Sequence, residues 1–121
     1  MLIATIALAV ALVQQPVQTP KPELAVIEAR LGSCSADFTV KDAAGAPVYA
    51  ATVHVRIRYG FMGIKRMDLE VGTNSDGKAR VASLPSRVKS LTYEIWKADR
   101  KTTVAQDLSS NCQATYEVSL K

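Results

Sequence analysis

Apolar and polar residues alternate along much of the chain after about residue 24, a pattern typical of half-buried β-strands. The clearest stretch places the apolar residues Val53, Val55 and Ile57 on one face and charged or polar residues between them. Residues 24–31 fit a short helix or a strand equally well. Further alternating stretches cover residues 35–40, 67–71, 78–82, 91–95, 102–108 and 114–120. Because turn residues separate these stretches, the pattern predicts an all-β, antiparallel sandwich of about six to eight short strands.

Two of these stretches predict a hairpin with a defined register. Pairing residues whose numbers sum to 126 places Ile57 opposite Leu69 on the apolar face and Arg58 opposite Asp68 on the polar face. A slip by one residue would set apolar side chains against charged ones. The sum-126 register therefore satisfies both faces, and it leaves a loop over residues 60–64.

Composition limits the chain to one small domain with little material for catalysis. The 121 residues are 48% hydrophobic and carry a net charge of +4 that is spread along the sequence. This distribution does not favour a nucleic-acid binder, which concentrates its basic residues on one face. With one histidine and two cysteines, most metal-dependent and nucleophilic chemistries are hard to build. We expect no enzymatic activity and no cofactor.

The N-terminal residues have the composition of an export signal. Residues 2–13 form an apolar run of twelve, interrupted only by Thr5, which is shorter than the roughly 20 residues of a membrane span and fits a signal-peptide core. We expect a signal peptide over 1–13, a linker rich in proline over 14–22, and a folded domain over 23–121. A buried N-terminal element and an uncleaved anchor remain as alternatives. The expected location is secreted or periplasmic, with no stable membrane span after cleavage.

The two cysteines suit a disulfide in an exported domain. Cys34 precedes the first strong strand and Cys112 precedes the last. An oxidising compartment permits their pairing, and an even number of cysteines supports it. Two free thiols remain the alternative, whereas the lack of a Cys-x-x-Cys motif argues against a redox role.

The turns between the strands carry a resemblance to a known family. Residues 38–48 contain the turn Gly45-Ala46-Pro47 and lead into a strand beginning Ala51-Thr52-Val53. Farther along, Thr73-Asn74-Ser75-Asp76-Gly77 precedes Leu84-Pro85. This arrangement resembles the carboxypeptidase regulatory-like domain of bacterial secreted and envelope proteins. The resemblance spans residues 35–120 and implies an Ig-like, transthyretin-like sandwich of seven strands. Turn chemistry alone also explains the pattern, since both glycines suit a positive φ angle.

Residues with catalytic or metal-binding chemistry are sparse and isolated. His54 lies on the polar face of its strand, and no nucleophile motif accompanies it, so we expect a surface histidine. Asn74 and Asp76 offer too few oxygens for calcium, which takes six to eight ligands. We therefore predict neither catalytic nor metal-binding residues.

Two surface features are candidate partner-binding sites. Phe61, Met62 and Ile64 are large apolar residues in the predicted hairpin loop, where they are either exposed for contact or folded back over the end of the sandwich. Trp96 is expected to point outward, either to stack on a ligand or to pack on a neighbouring strand. The basic stripe that runs from His54 to Arg66 attracts polyanions or forms a partly neutralised, solvated face.

These observations predict a non-enzymatic, secreted or periplasmic domain with a structural or binding role at the cell envelope. Its partner, a protein or a glycan, is not specified by the sequence. One alternative is a small carbohydrate-binding module that uses Trp96. Another is a secreted enzyme inhibitor that presents the loop Gly60–Ile64.

Overall fold

The computed structural model describes residues 23–86 and 88–121. The expected signal peptide over 1–13 and linker over 14–22 lie outside the described residues. The described chain forms eight β-strands and one short 3₁₀ turn over Phe61–Gly63. The strands are β1 (Ala25–Glu28), β2 (Cys34–Asp42), β3 (Thr52–Tyr59), β4 (Lys65–Gly72), β5 (Lys78–Leu84), β6 (Ser90–Lys97), β7 (Arg100–Asp107) and β8 (Gln113–Leu120).

The strands form two four-stranded sheets, which confirms the predicted β-sandwich. The first sheet has the order β1-β5-β2-β8 and the second has the order β4-β3-β6-β7. Residues 25–28 form a strand rather than a helix. Two pairs, β1–β5 and β2–β8, are parallel, whereas the sequence predicts an antiparallel sandwich. Strand β8 can join β2 in parallel because the chain crosses from the second sheet to the first after β7.

Alternating side chains from both sheets build the core between them. Phe38 of the first sheet packs edge-on against Tyr93 of the second, with ring centroids 4.8 Å apart. Val53, Val55 and Ile57 are buried as their alternation predicts. Close packing of apolar side chains from two facing sheets is the usual source of stability in such a sandwich.

The predicted hairpin forms, but its predicted register is wrong by two residues. In the observed pairing the residue numbers sum to 124, so Val55 lies opposite Leu69 and Ile57 lies opposite Met67. The side chains of Ile57 and Leu69 still point inward, because a two-residue shift preserves the face of every side chain. The shift replaces the expected Arg58–Asp68 pair, since Arg58 now faces Arg66.

Turn geometry selects this shorter register. Gly60 and Gly63 have φ angles of +80° and +66°, and Met62 between them has a φ of +55°. These three left-handed residues close the loop over 60–64, immediately after the last strand pair, Tyr59–Lys65. Charge does not decide the register, because the observed pairing gains the hydrogen bond from Arg56 Nε to Asp68 Oδ1 at 3.0 Å but sets Arg58 opposite Arg66.

The predicted disulfide joins the two ends of the folded domain. Cys34 and Cys112 are bonded, with Cα atoms 4.7 Å apart, within the usual range for a disulfide. Next to it, the Ser35 N–H donates to the Cys112 carbonyl oxygen at 2.7 Å. The bond thus fixes β8 beside β2 in the first sheet.

A buried glutamine lies beside the disulfide and links the two sheets. The side chain of Gln106 on β7 is fully buried, and its Nε2 donates to the carbonyl oxygens of Ser35 at 3.1 Å and Asn111 at 2.8 Å. Its Oε1 accepts a hydrogen bond from the Tyr93 hydroxyl. Because burial raises the pKa of Tyr93, that hydroxyl keeps its proton and remains a donor.

Candidate functional site: the apolar tip of the β3–β4 hairpin

The loop between β3 and β4, residues 60–64, is called the tip here, and it carries the most exposed large apolar side chains of the described residues. Phe61 is 83% exposed, Met62 84% and Ile64 76%. The alternative in which this loop folds back over the end of the sandwich is therefore wrong. The hairpin instead presents three large apolar groups to solvent.

The backbone of the tip is fixed, although its side chains pack on little. Gly63 N–H donates to the Gly60 carbonyl oxygen at 3.2 Å, and Ile64 N–H donates to the Phe61 carbonyl oxygen at 3.3 Å. Glycine accommodates a positive φ angle without steric cost, so Gly60 and Gly63 suit their positions. Met62 does not, because the left-handed region disfavours a long side chain. The tip therefore holds an apolar residue where glycine or asparagine would fit the turn better.

Positive charge surrounds the base of the tip. Arg58 and Arg66 face each other across the hairpin, and Lys65 pairs with Tyr59 at the last rung. Within the described residues, none of the three cations forms an ion pair within 4.0 Å. Residues 58–66 contain no carboxylate. A fourth cation, Lys89, lines the same surface groove as Arg58, together with the carboxylate of Glu94.

Farther from the tip, carboxylates neutralise the rest of the basic stripe. Asp68 Oδ1 lies 3.1 Å from His54 Nε2 and 3.0 Å from Arg56 Nε. The hydrogen bond from Arg56 is the main cause that lowers the pKa of Asp68. The stripe is thus divided, with a neutralised part in the middle of the sheet and a purely cationic part at the tip.

Trp96 lies on the outer face of the second sheet and is half-buried. Its ring centroid is 6.0 Å from that of His54, and its strand neighbours are Thr52 and Lys101. The prediction that Trp96 points outward agrees with this position. Trp96 packs beside other side chains of the sheet, so a smaller fraction of its side chain is exposed than in the tip residues.

His54 was expected to be a surface histidine, and the structure places it between the carboxylates of Asp68 and Glu94. Its Nδ1 lies 3.9 Å from Glu94 Oε2, and Glu94 also contacts Lys101 Nζ at 3.3 Å. The described residues contain no group of three or more histidine, cysteine or acidic side chains arranged to hold a metal ion. No helix in this part of the chain is long and apolar enough to cross a bilayer.

The basic residues beside the tip are part of the candidate site, although the sequence did not predict that grouping. The residues predicted to bind from the loop were Phe61, Met62 and Ile64, whereas Lys65 and Arg66 were predicted as part of the basic stripe that runs from His54 to Arg66. A signal was present, because residues 58–66 contain three cations and no anion. In the observed register Arg58 lies opposite Arg66, and Lys65 is next to Arg66. These three cations at the base of the tip are called the cationic collar.

Comparison with known proteins identifies the fold and nothing finer. No protein-family model matches the chain, so none supports the regulatory-like resemblance, and no curated protein matches it. Among solved structures, catechol 1,2-dioxygenase from Pseudomonas arvilla C-1 matches with a TM-score of 0.51 and 13% identity over 80% of this chain. The enzyme of the same name from Acinetobacter sp. ADP1 matches with a TM-score of 0.52 and 15% identity over 79%. This chain covers 57% of each dioxygenase chain.

A third match is to the shaft pilin SpaA from Lactobacillus rhamnosus GG, with a TM-score of 0.43 and 11% identity. It covers 74% of this chain and 46% of the pilin. At 13% and 15% identity, the likeness to the two dioxygenases shows a shared fold alone. The same sandwich can carry unrelated functions, so function must be argued from the site.

Proposed function

We propose that this chain is a non-enzymatic binding domain that acts outside the cytoplasm, in the periplasm or secreted, and makes its contact through the tip of the β3–β4 hairpin. One observation carries the proposal: Phe61, Met62 and Ile64 are more than three-quarters exposed. A fold gains nothing from three large apolar side chains held in water, whereas a contact surface does.

The scaffold suits this role because the tip is held by a stable frame. The strands β3 and β4 pair without a break from Thr52–Gly72 to Tyr59–Lys65, and β3 also pairs with β6 in the same sheet. Binding residues on loops above such a rigid scaffold are a common arrangement.

The disulfide supports the proposed location. Structural disulfides persist in oxidising compartments and are rare in the cytosol of mesophiles. The Cys34–Cys112 bond is buried on the Cys34 side and closes a separation of 78 residues. Fractionation of the native cells tests the location, and recovery of the protein with free thiols in the cytoplasm would contradict it.

Binding to isolated envelopes of the source cells tests the contact surface. Purified, labelled protein is incubated with envelope fractions, and the bound share is measured by sedimentation. A variant with Phe61, Met62 and Ile64 all changed to serine should lose most of that binding.

Two control variants separate the tip from other surfaces. Tyr49→Ser removes an exposed apolar ring at the opposite end of β3 and should leave binding unchanged. Trp96→Ala tests the carbohydrate-binding alternative, which predicts that this variant loses binding and that the tip variant keeps it. Equal binding by the wild type and the tip variant would reject the tip as the contact surface.

A further inference from the structure

We propose that the tip binds the surface of an anionic lipid bilayer, with Phe61, Met62 and Ile64 inserted among the lipids and the cationic collar facing the headgroup phosphates. The proposal rests on the proposed function, in which the tip is the contact surface, and it names the ligand class. It describes a peripheral contact made by one loop, not a membrane span.

The first support is the residue at the apex of the tip. Met62 has a φ of +55° and is 84% exposed, so its side chain is in an unfavourable backbone region without packing that would compensate. Asparagine or glycine would satisfy the turn at lower cost. A residue that breaks a local rule without gain for the fold points to a role outside the fold.

Apolar and cationic residues follow one another in a fixed order along the hairpin. The apolar side chains lie at the end, and the cations Arg58, Lys65 and Arg66 follow directly below them on the two strands. A bilayer surface has the same order, with acyl chains inside and phosphates outside. Basic residues beside an inserted apolar surface add attraction to anionic lipids.

No described carboxylate lies within ion-pair distance of Arg58, Lys65 or Arg66, so their charges remain available to an anion. Asp68, the nearest acidic residue along β4, already accepts a hydrogen bond from Arg56 and contacts His54. Arg58 and Arg66 face each other as like charges, an arrangement that disfavours the free hairpin. Phosphates placed between these two arginines would relieve that repulsion.

A bilayer fits the tip better than a protein groove does. The tip offers three exposed side chains on a five-residue loop, whereas each partner in a stable protein interface contributes about 20–30 residues. A bilayer requires no matching shape and accepts a narrow, convex loop. The size and the convex position of the tip therefore favour lipid.

Binding to lipid vesicles tests the proposal without any other protein. The full chain with its disulfide is mixed with vesicles of phosphatidylcholine alone or of phosphatidylcholine with about 30% phosphatidylglycerol, an anionic lipid that attracts basic residues. The partition coefficient is measured by sedimentation. We expect clear binding only with the anionic lipid, and weaker binding in about 1 M salt because salt screens the collar.

Neutral and apolar-to-polar variants separate the two parts of the site. Changing Arg58, Lys65 and Arg66 to glutamine should lower partitioning by roughly fivefold per residue, since each cation near an anionic surface contributes about that factor. A charge-matched control changes Lys78, Arg100 and Lys121 to glutamine. These residues are exposed at the other end of the sandwich, so this control should have little effect on partitioning.

Met62→Asn gives a test that cannot be explained by unfolding. Because asparagine tolerates the left-handed region better than methionine, this variant should melt at the same temperature as the wild type or a higher one. It should nevertheless partition at least about tenfold less, since it removes one inserted apolar side chain. Tyr49→Ser, an apolar loss outside the tip, should leave partitioning unchanged.

The outcomes distinguish this proposal from the one on which it rests. If neither vesicle composition binds the protein while envelope fractions bind it in a tip-dependent way, the bilayer proposal is wrong and the tip contacts a protein or glycan. If the envelopes also show no dependence on the tip, both proposals fail. Equal binding of Met62→Asn and wild type to anionic vesicles would also overturn the insertion of the tip.

Discussion

Replacement of Gln106 by leucine should strongly destabilise the fold, although leucine has a similar size and is more apolar. The buried Gln106 side chain makes hydrogen bonds to three groups: the carbonyl oxygens of Ser35 and Asn111 and the Tyr93 hydroxyl. Leucine leaves all three without that partner. At about 1 kcal/mol net for each hydrogen bond, the free energy of unfolding should fall by about 3 kcal/mol.

This loss is large enough to measure by two independent methods. For a domain of about 100 residues, each 1 kcal/mol shifts the melting temperature by roughly 4–8 °C, so Gln106→Leu should melt roughly 12–24 °C lower. Urea unfolding should show a lower midpoint with an unchanged slope, because the surface exposed on unfolding stays the same. Gln113→Leu, the same change at an exposed position on β8, provides the matched control.

A double-mutant cycle with Tyr93→Phe tests the physical reason. In the wild type, loss of the Tyr93 hydroxyl should cost about 1 kcal/mol, because Gln106 loses one hydrogen bond. In the Gln106→Leu background the same change should cost nothing or restore stability, because it removes a buried hydroxyl that has lost its partner. If Gln106→Leu behaves like Gln113→Leu, or if Tyr93→Phe costs the same in both backgrounds, the buried hydrogen bonds do not stabilise this sandwich.

Three further predictions concern the disulfide, the turns and acid. Cys34→Ser should lower the unfolding free energy by roughly 2–5 kcal/mol, and a reductant should destabilise the wild type but not the variant; equal melting temperatures under oxidising conditions would contradict this. Gly77→Ala should destabilise by about 2 kcal/mol or more, because a Cβ at its φ of +74° would meet the Val40 carbonyl oxygen. Gly45→Ala, at a φ of +85° with open space around it, should cost less in the same urea titration, and a larger cost there would refute the steric argument. The pKa of Asp68 is lowered from its ordinary value of 3.8, so ionised Asp68 stabilises the fold at pH values above 3.8, and this effect is lost as the pH falls through the lower, folded-state pKa. Asp68→Asn should abolish this part of the acid dependence, measured by melting between about pH 2 and 5. An unchanged acid profile would show that the pair of Asp68 and Arg56 has no net effect.

Outside residues 24–31, which fit a helix or a strand equally well, the sequence by itself determined where the strands lie and which of their side chains point into the core. Alternation marks the inward residues, such as Ile57 and Leu69, because successive side chains of a strand point to opposite faces. The turns follow from local backbone preferences, as at Gly77, whose positive φ is confirmed. The disulfide also follows from local information, since only Cys34 and Cys112 were available to pair.

Tertiary structure decided the register, the buried hydrogen bonds and the exposure of the tip. A two-residue slide leaves every side chain on its face, so alternation cannot separate a sum of 126 from a sum of 124. Gln106 is 71 residues from Ser35 in sequence, and no local pattern marks it as the link between two sheets. From the sequence, Phe61 and Met62 could be either covered by the sandwich or exposed for contact, because an apolar side chain suits both positions. Only the packing of the finished sandwich determines whether anything lies close enough to cover it.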